Sequence, residues 1–318
     1  MVLEFFGSTL CRPECVLAHE SGTVFCSDST ASGGVAVIRP DGITSRILST
    51  GRSIIPNGIA LLADGSFLIA HLGLEDGGIY RLWADGTLEP FLVELGGRPL
   101  APSNFVHRDA LDRLWICVST ELRPRHLAYR SDLADGVIIL VDKAGPRIVA
   151  EGLGYTNECV VDVEKGRLFV NETFGRRLTG FTIRPDGSLT DRTVVTTFGT
   201  GDFPDGLSLD VDDGLWVTSV VSNRLIRVDP QGRQETFLEQ SDPVDVARVE
   251  DAFLAGRMHK DDLASTMEKG LRNLSSLAFC GPEMRMGLLG SLGNEGLVKV
   301  QLPVAGRKPA HWSQSLPV

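Results

Sequence analysis

The chain has 318 residues, among them 35 Gly and 16 Pro, a density of backbone punctuation that excludes long uninterrupted helices, while the composition excludes collagen-like structure and disorder. With 42% hydrophobic residues it can bury a large core. Lys and Arg number 31 against 41 Asp and Glu, and the resulting net charge of −10 argues against nucleic acid or an anionic lipid surface as a partner.

The N-terminal run Met1-Val2-Leu3-Glu4-Phe5-Phe6 has an acid where a secretory signal carries Lys or Arg, and no apolar segment follows it. No stretch approaches the roughly 18 apolar residues of a membrane span. The expectation is a soluble, cytoplasmic protein with no membrane partner, whose six cysteines stay reduced. Cys11, Cys15, His19 and Cys26 lie near one another in sequence, but their spacing fits no zinc finger or ribbon. Cys26 sits in an apolar run, and the set is read as buried thiols.

An internal repeat organises the chain. It opens as Glu14-Cys-Val-Leu-Ala-His-Glu-Ser-Gly-Thr-Val-Phe-Cys-Ser-Asp28 and returns as Asn57-Gly-Ile-Ala-Leu-Leu-Ala-Asp-Gly-Ser-Phe-Leu-Ile-Ala-His71. Later copies are headed by Asn104, by Asn157-Glu158, by Asp205 and, more weakly, by Ser275. Each copy reads as two apolar strands around a turn. Between copies lie second hairpins marked by Asp41-Gly42, Asp85-Gly86, Asp186-Gly187 and Gln231-Gly232, for which a type I′ turn with two positive φ angles is expected. Two hairpins make a four-stranded unit, and six units at a period of about 53 residues match the blades of a propeller. The expectation is an all-β, six-bladed β-propeller of four-stranded antiparallel blades, one domain over 1–318. The strand near Val2–Phe6 would close the ring against Leu297–Val300. Residues from about Asp242 to Arg272 break the pattern with apolar positions at helical spacing, and predict a helical insertion that packs on the surface, with a lid or subunit contact as the alternative.

Innermost strands line the channel of a propeller, so the repeat heads Glu14, Asn57, Asn104, Asn157 and Asp205 are expected at one mouth. For Asn57-Gly58 and Asp205-Gly206 a plain turn is an alternative. Carboxylates and amides focused on one axis need a cation, and all-oxygen donors favour Ca²⁺, Mg²⁺ or Mn²⁺. Gly-x-Ser-x-Gly, His-Glu-x-x-His, P-loop and Gly-x-Gly-x-x-Gly signatures are missing from the sequence.

These pieces together, with Pro56-Asn57-Gly-Ile-Ala, Gly154-Tyr-Thr-Asn157, Pro204-Asp205-Gly-Leu-Ser-Leu-Asp and Leu277-Ala-Phe-Cys-Gly-Pro-Glu, resemble the SMP-30/gluconolactonase/LRE-like group of six-bladed propellers, from Glu14 to about Val300. The resemblance implies one divalent metal held by Glu14, Asn157 and Asp205, with Ca²⁺ first and Mg²⁺, Mn²⁺ or Zn²⁺ as alternatives. It also implies a substrate-side Asn at Asn104. The chain departs from the group at Cys15, Val16 and Ala18, where Gly-Pro and an aromatic are usual. It departs again at Pro102 and Phe105, where Arg and Asp flank the substrate-side Asn.

The implied activity is metal-assisted hydrolysis of a lactone, a small-molecule ester, with the metal as Lewis acid and Asp205 as general base. Two carboxylates on a divalent ion leave a nearly neutral site, suited to a neutral ester. The missing Arg, and Phe105 if it faces the site, point to a substrate less polar than a sugar lactone. The polar segment Ser119–Arg130 offers Thr120, Arg125 or Tyr129 as contacts, and one of its arginines is a candidate replacement for the missing one; a solvated loop is the alternative. His71, Trp115 and Trp216 are read as structural. The alternatives to a lactonase are a lyase or isomerase of the strictosidine-synthase-like kind and a non-catalytic propeller that binds a small molecule.

Overall fold

The computed structural model describes residues 3–263 and 270–316. Six four-stranded antiparallel sheets stand as blades around a central channel. Blade one comprises Val16–Ala18, Val24–Asp28, Gly34–Ile38 and Thr44–Leu48. The innermost strands of blades two to six are Pro56–Leu61, Ser103–Arg108, Thr156–Asp162, Pro204–Leu209 and Leu274–Cys280. Each packs against the next, and the last returns to the first. Glu4–Phe6 supplies the outer strand of blade six, pairing Glu4 with Lys299, Phe5 with Val298 and Phe6 with Leu297. The ring thus closes as expected over the described residues; Val2 lies outside them.

The blades hold together through apolar faces pressed between neighbouring sheets, as where Phe25 of blade one meets Phe67 of blade two edge-on at 5.1 Å. Trp115 and Trp216 are fully buried, and the two blades treat them alike. Each indole Nε1 donates at 2.9 Å to the turn carboxylate six residues earlier, Asp109 or Asp210. The same carboxylates accept backbone N–H groups of the turn and the Nε of Arg113 or Arg227 at 2.7 Å. A buried charge is tolerated there because all its acceptor capacity is used.

The outer hairpins differ from the expected two-residue type I′ turn. Gly42 N–H donates to Arg39 O, and Arg39 N–H to Ile43 O. Positive φ falls on Gly42 and not on Asp41. The loop is a three-residue turn with glycine in the left-handed position, and Gly86, Gly187 and Gly232 repeat it. The Asp remains useful because its side chain accepts the N–H two residues on, from Ile43, Thr87 or Ser188.

The interruption before blade six begins with a helix, Pro243–Leu254, termed α1. Asp242 caps its first turn and Pro243 occupies the start, where a missing N–H is harmless. Its buried face sets Phe253 edge-on against Phe203 at 5.0 Å, and Glu250 pairs with Arg176 at 2.8 Å. A 3-10 turn over Lys260–Leu263 follows; residues 264–269 of the expected insertion lie outside the described residues. No helix among the described residues is long and apolar enough to cross a membrane. Cys15 and Cys26 are buried and Cys11 is exposed, so the thiol reading holds for two of the three.

Candidate active site

In each innermost strand of blades two to six, one extra residue is inserted at the same place. Pro56 pairs with His71 but Ile59 with Ile69, and Ser103 pairs with Val118 but Phe105 with Cys117. The same slip occurs after Thr156, Pro204 and Leu274. A bulge of this kind twists the strand and re-aims a side chain, and it falls at Asn57, Asn104, Asn157 and Asp205. Those four and Glu14 line one cavity of about 350 Å³ at a mouth of the channel. Gly58 and Gly206 follow two of these residues for a reason other than a turn. A Cβ on Gly58 would lie 2.5 Å from the Phe105 ring, and one on Gly206 would lie 2.3 Å from Ser275 O in the next blade.

A hydrogen-bond web fixes the polar set. Asn57 Nδ2 donates to Glu14 Oε1 at 2.9 Å and to Asn104 Oδ1 at 3.1 Å. Arg12 donates to Asn57 Oδ1 at 2.7 Å and to Pro56 O at 3.2 Å. Asn157 Nδ2 donates to Thr173 Oγ1 at 2.8 Å, and that hydroxyl donates to Pro204 O at 2.8 Å. Asn171 Nδ2 holds the Asp205 carbonyl at 3.0 Å. Sequence reasoning missed Thr173 and Asn171, which end a second strand and do not head a repeat.

Three acceptor atoms in this web are buried without a hydrogen-bond donor among the described residues, Glu14 Oε2, Asn157 Oδ1 and Asn171 Oδ1, and the first two belong to residues that line the cavity. Burial and the neighbouring Asp205 push the Glu14 carboxyl up to about 8. Burial pushes Asp205 up to about 7, with Arg12 and Asn157 acting in the opposite sense. Below them Glu158 is buried as well, its carboxyl raised far above the ordinary range by burial and by Glu14. Carboxylates crowded this closely out of water are matched by a cation. Glu14, Asn157 and Asp205 offer it only oxygen, a donor set that fits a hard divalent ion.

The remaining expected residues separate. Arg125, at the head of the 3-10 turn Arg125–Ala128, lines the cavity, and so does Tyr129. Thr120 does not: it is fully buried, donating to Asp135 Oδ2 at 2.8 Å and accepting Leu122 N–H at 3.1 Å. Phe105 does not either. One residue beyond Asn104, its ring turns to the opposite face of the strand, joins the inter-blade core with Cys15 and Ile59, and borders a separate cavity of about 760 Å³ toward the other mouth. The expectation of a less polar substrate therefore loses one of its two supports. The cavity wall also holds Arg12, Tyr155, Lys260 and Arg272, which were not singled out from the sequence. Gly154-Tyr-Thr-Asn157 was the one signal that pointed near Tyr155.

The family model described as SMP-30/gluconolactonase/LRE-like region matches residues 12–241. A search of curated protein sequences finds no match. Among solved structures, the chain is similar to a gluconolactonase from Xanthomonas campestris at 18% identity, with a TM-score of 0.68 over 95% of this chain and 89% of that one. A luciferin-regenerating enzyme matches at 17% identity and a TM-score of 0.71, covering 98% and 99% of the two chains. A calcium-binding regucalcin from Agrobacterium tumefaciens matches at 16% and 0.67, covering 99% and 98%. At these identities the likeness establishes the fold.

Proposed function

Because the chain belongs to the SMP-30/gluconolactonase/LRE-like family, we propose that it is a divalent-metal-dependent lactonase whose active site is the cavity at the head of the inner strands. One observation carries the reading: Glu14 Oε2 and Asn157 Oδ1 are buried acceptors without a donor among the described residues, in one cavity with Asp205. Glu14, Asn157 and Asp205 would hold the ion, Ca²⁺ by their chemistry. Bound there, the ion supplies Lewis acidity to a lactone carbonyl.

The protein's own groups do the rest. Asp205, ionised beside the cation and placed in the same cavity as Asn104, takes a proton from the attacking water as general base. The water oxygen bonds to the acyl carbon, the ring C–O bond breaks, and Asp205 returns the proton to the departing alkoxide, leaving a hydroxy acid. Asn104 accepts from Asn57 through Oδ1, which leaves its Nδ2 to orient a substrate oxygen.

The test is Asp205→Ala, assayed on a lactone panel with Ca²⁺, Mg²⁺, Mn²⁺ or Zn²⁺ added back to chelated protein. The expected outcome is loss of lactone hydrolysis by about a thousandfold with an unchanged circular dichroism spectrum, and no turnover in wild-type protein stripped of metal. Full activity in the variant or in stripped protein overturns the reading.

A further inference from the structure

The cavity holds more positive than negative charge. Among the described residues, Arg12, Arg125, Lys260 and Arg272 line it beside two carboxylates, Glu14 and Asp205. Most arginines elsewhere in the chain are ion-paired, including Arg113, Arg176, Arg177, Arg224 and Arg227. Among the described residues Arg12, Arg125 and Arg272 have no carboxylate within ion-pair distance. If Glu14 and Asp205 are matched by a divalent ion, as in the function proposed above, the guanidinium charge has no counterpart among the described residues of the cavity.

Arg125 shows this most directly. Its Nη1 donates to Tyr129 Oη at 2.5 Å and to Tyr155 Oη at 3.2 Å, both neutral phenols. Its Nε is buried without an acceptor among the described residues. The two tyrosines and Phe174 form a mutually packed aromatic wall, with Tyr129 stacked on Phe174 at 4.4 Å and Tyr155 edge-on to Phe174 at 4.7 Å. Arg125 therefore sits in a rigid seat, and the Nε side of a guanidinium is the edge that pairs side-on with a carboxylate. The backbone around the cavity is strained: Arg12 and Tyr155 both adopt left-handed conformations, with φ of 55° and 68°, which are disfavoured for a residue with a Cβ.

We propose that the substrate is an anion: a lactone bearing a carboxylate next to its ring, with that carboxylate seated on Arg125 and within the field of Arg12 and Arg272, and the ring against Tyr129 and Tyr155. This inference rests on the lactonase reading and narrows it. It also replaces the expectation of a neutral substrate, which counted the two carboxylates and not the arginines around them.

The experiment compares γ-butyrolactone carrying a carboxylate on its γ-carbon with the same ring carrying a carboxamide there. Wild-type protein with Ca²⁺ is expected to favour the carboxylate by about tenfold to a hundredfold in kcat/KM, the worth of a charge-assisted hydrogen bond in a buried site, expressed in KM. Arg125→Gln is expected to abolish that preference, lowering kcat/KM for the carboxylate lactone at least about tenfold more than for the carboxamide, and Arg125→Lys, which keeps charge without the planar edge, restores part of it. Equal kcat/KM for the two lactones in wild-type protein overturns the inference without recourse to any variant. Should neither lactone be hydrolysed, the lactonase reading is the one in difficulty, and calorimetric titration with the ring-opened hydroxydicarboxylate decides the anion site separately. Binding to wild type that weakens at least about tenfold in Arg125→Gln sustains it, and no binding to wild type overturns it.

Discussion

At the scale of single residues, the site brings together groups that would repel in isolation. Glu14 and Asp205 share a buried cavity, and without a cation their carboxyls rise to about 8 and about 7. The sign of the linkage follows. A group that holds its proton more tightly when folded adds stability that is complete below its unfolded value and is lost as pH rises through its folded value. Chelated protein is expected to lose this contribution as pH climbs from the ordinary carboxyl range to about 8. Ca²⁺ should then raise Tm more at about pH 8 than at about pH 5, because the ionised pair is what the ion neutralises. Scanning calorimetry of wild type against Glu14→Gln checks it. A Ca²⁺-induced shift that is the same at both pH values, or that survives undiminished in the variant, contradicts the assignment. The oxygen-rich repeat heads were legible in the sequence because each stands at the same place in its repeat. Arg12 was not: it precedes the repeat and reaches the cavity through a left-handed backbone turn that no local pattern announces.

At the scale of elements, the bulge in each inner strand decides which side chains the cavity receives. Asn104 is the inserted residue between Ser103 and Phe105, so Asn104 faces the site and Phe105 faces the core. Neighbouring residues of a strand face opposite sides, so once Asn104 is in the site Phe105 is in the core; the expectation for Phe105 fails because closeness in sequence to Asn104 does not make it a site neighbour. The glycines beside the bulges serve the packing of blade on blade. Gly206→Ala would set a Cβ 2.3 Å from Ser275 O and 2.6 Å from Ser276 Cα, backbone atoms of a neighbouring strand that cannot move alone. The expected cost is about 1–3 kcal/mol, as for overpacking a core, together with loss of activity as Asp205 shifts. Gly51→Ala, where a Cβ meets nothing within 4 Å, is the matched control and should stay within about 0.5 kcal/mol of wild type. Urea midpoints of the two variants decide. Equal midpoints would mean the inter-blade contact at Gly206 is loose.

At the scale of the whole molecule, ring closure ties the first described strand to the last. Glu4–Phe6 covers the edge of Leu297–Gln301, and an uncovered edge is a template for pairing with another chain. Removing residues 1–6 is expected to lower Tm by roughly 2–4 °C for each kcal/mol lost and to cause concentration-dependent association visible by light scattering. A truncated protein that stays monomeric at unchanged Tm would show that blade six needs no fourth strand. The closure was foreseeable, because strand propensity, Asp-Gly hairpins and a repeating cadence are local properties that recur six times and leave one strand unpaired at each end. The oxygen donors at the repeat heads were foreseeable for the same reason. What the tertiary structure alone decided is which residues from outside the repeat reach the site: Arg12 from the lead-in, Lys260 and Arg272 from either side of the interruption before blade six, and, of the candidates the Ser119–Arg130 segment offered, Arg125 and Tyr129 but not Thr120. These residues are far apart in sequence and share no period, so only the closing of the ring brings their charges to one cavity.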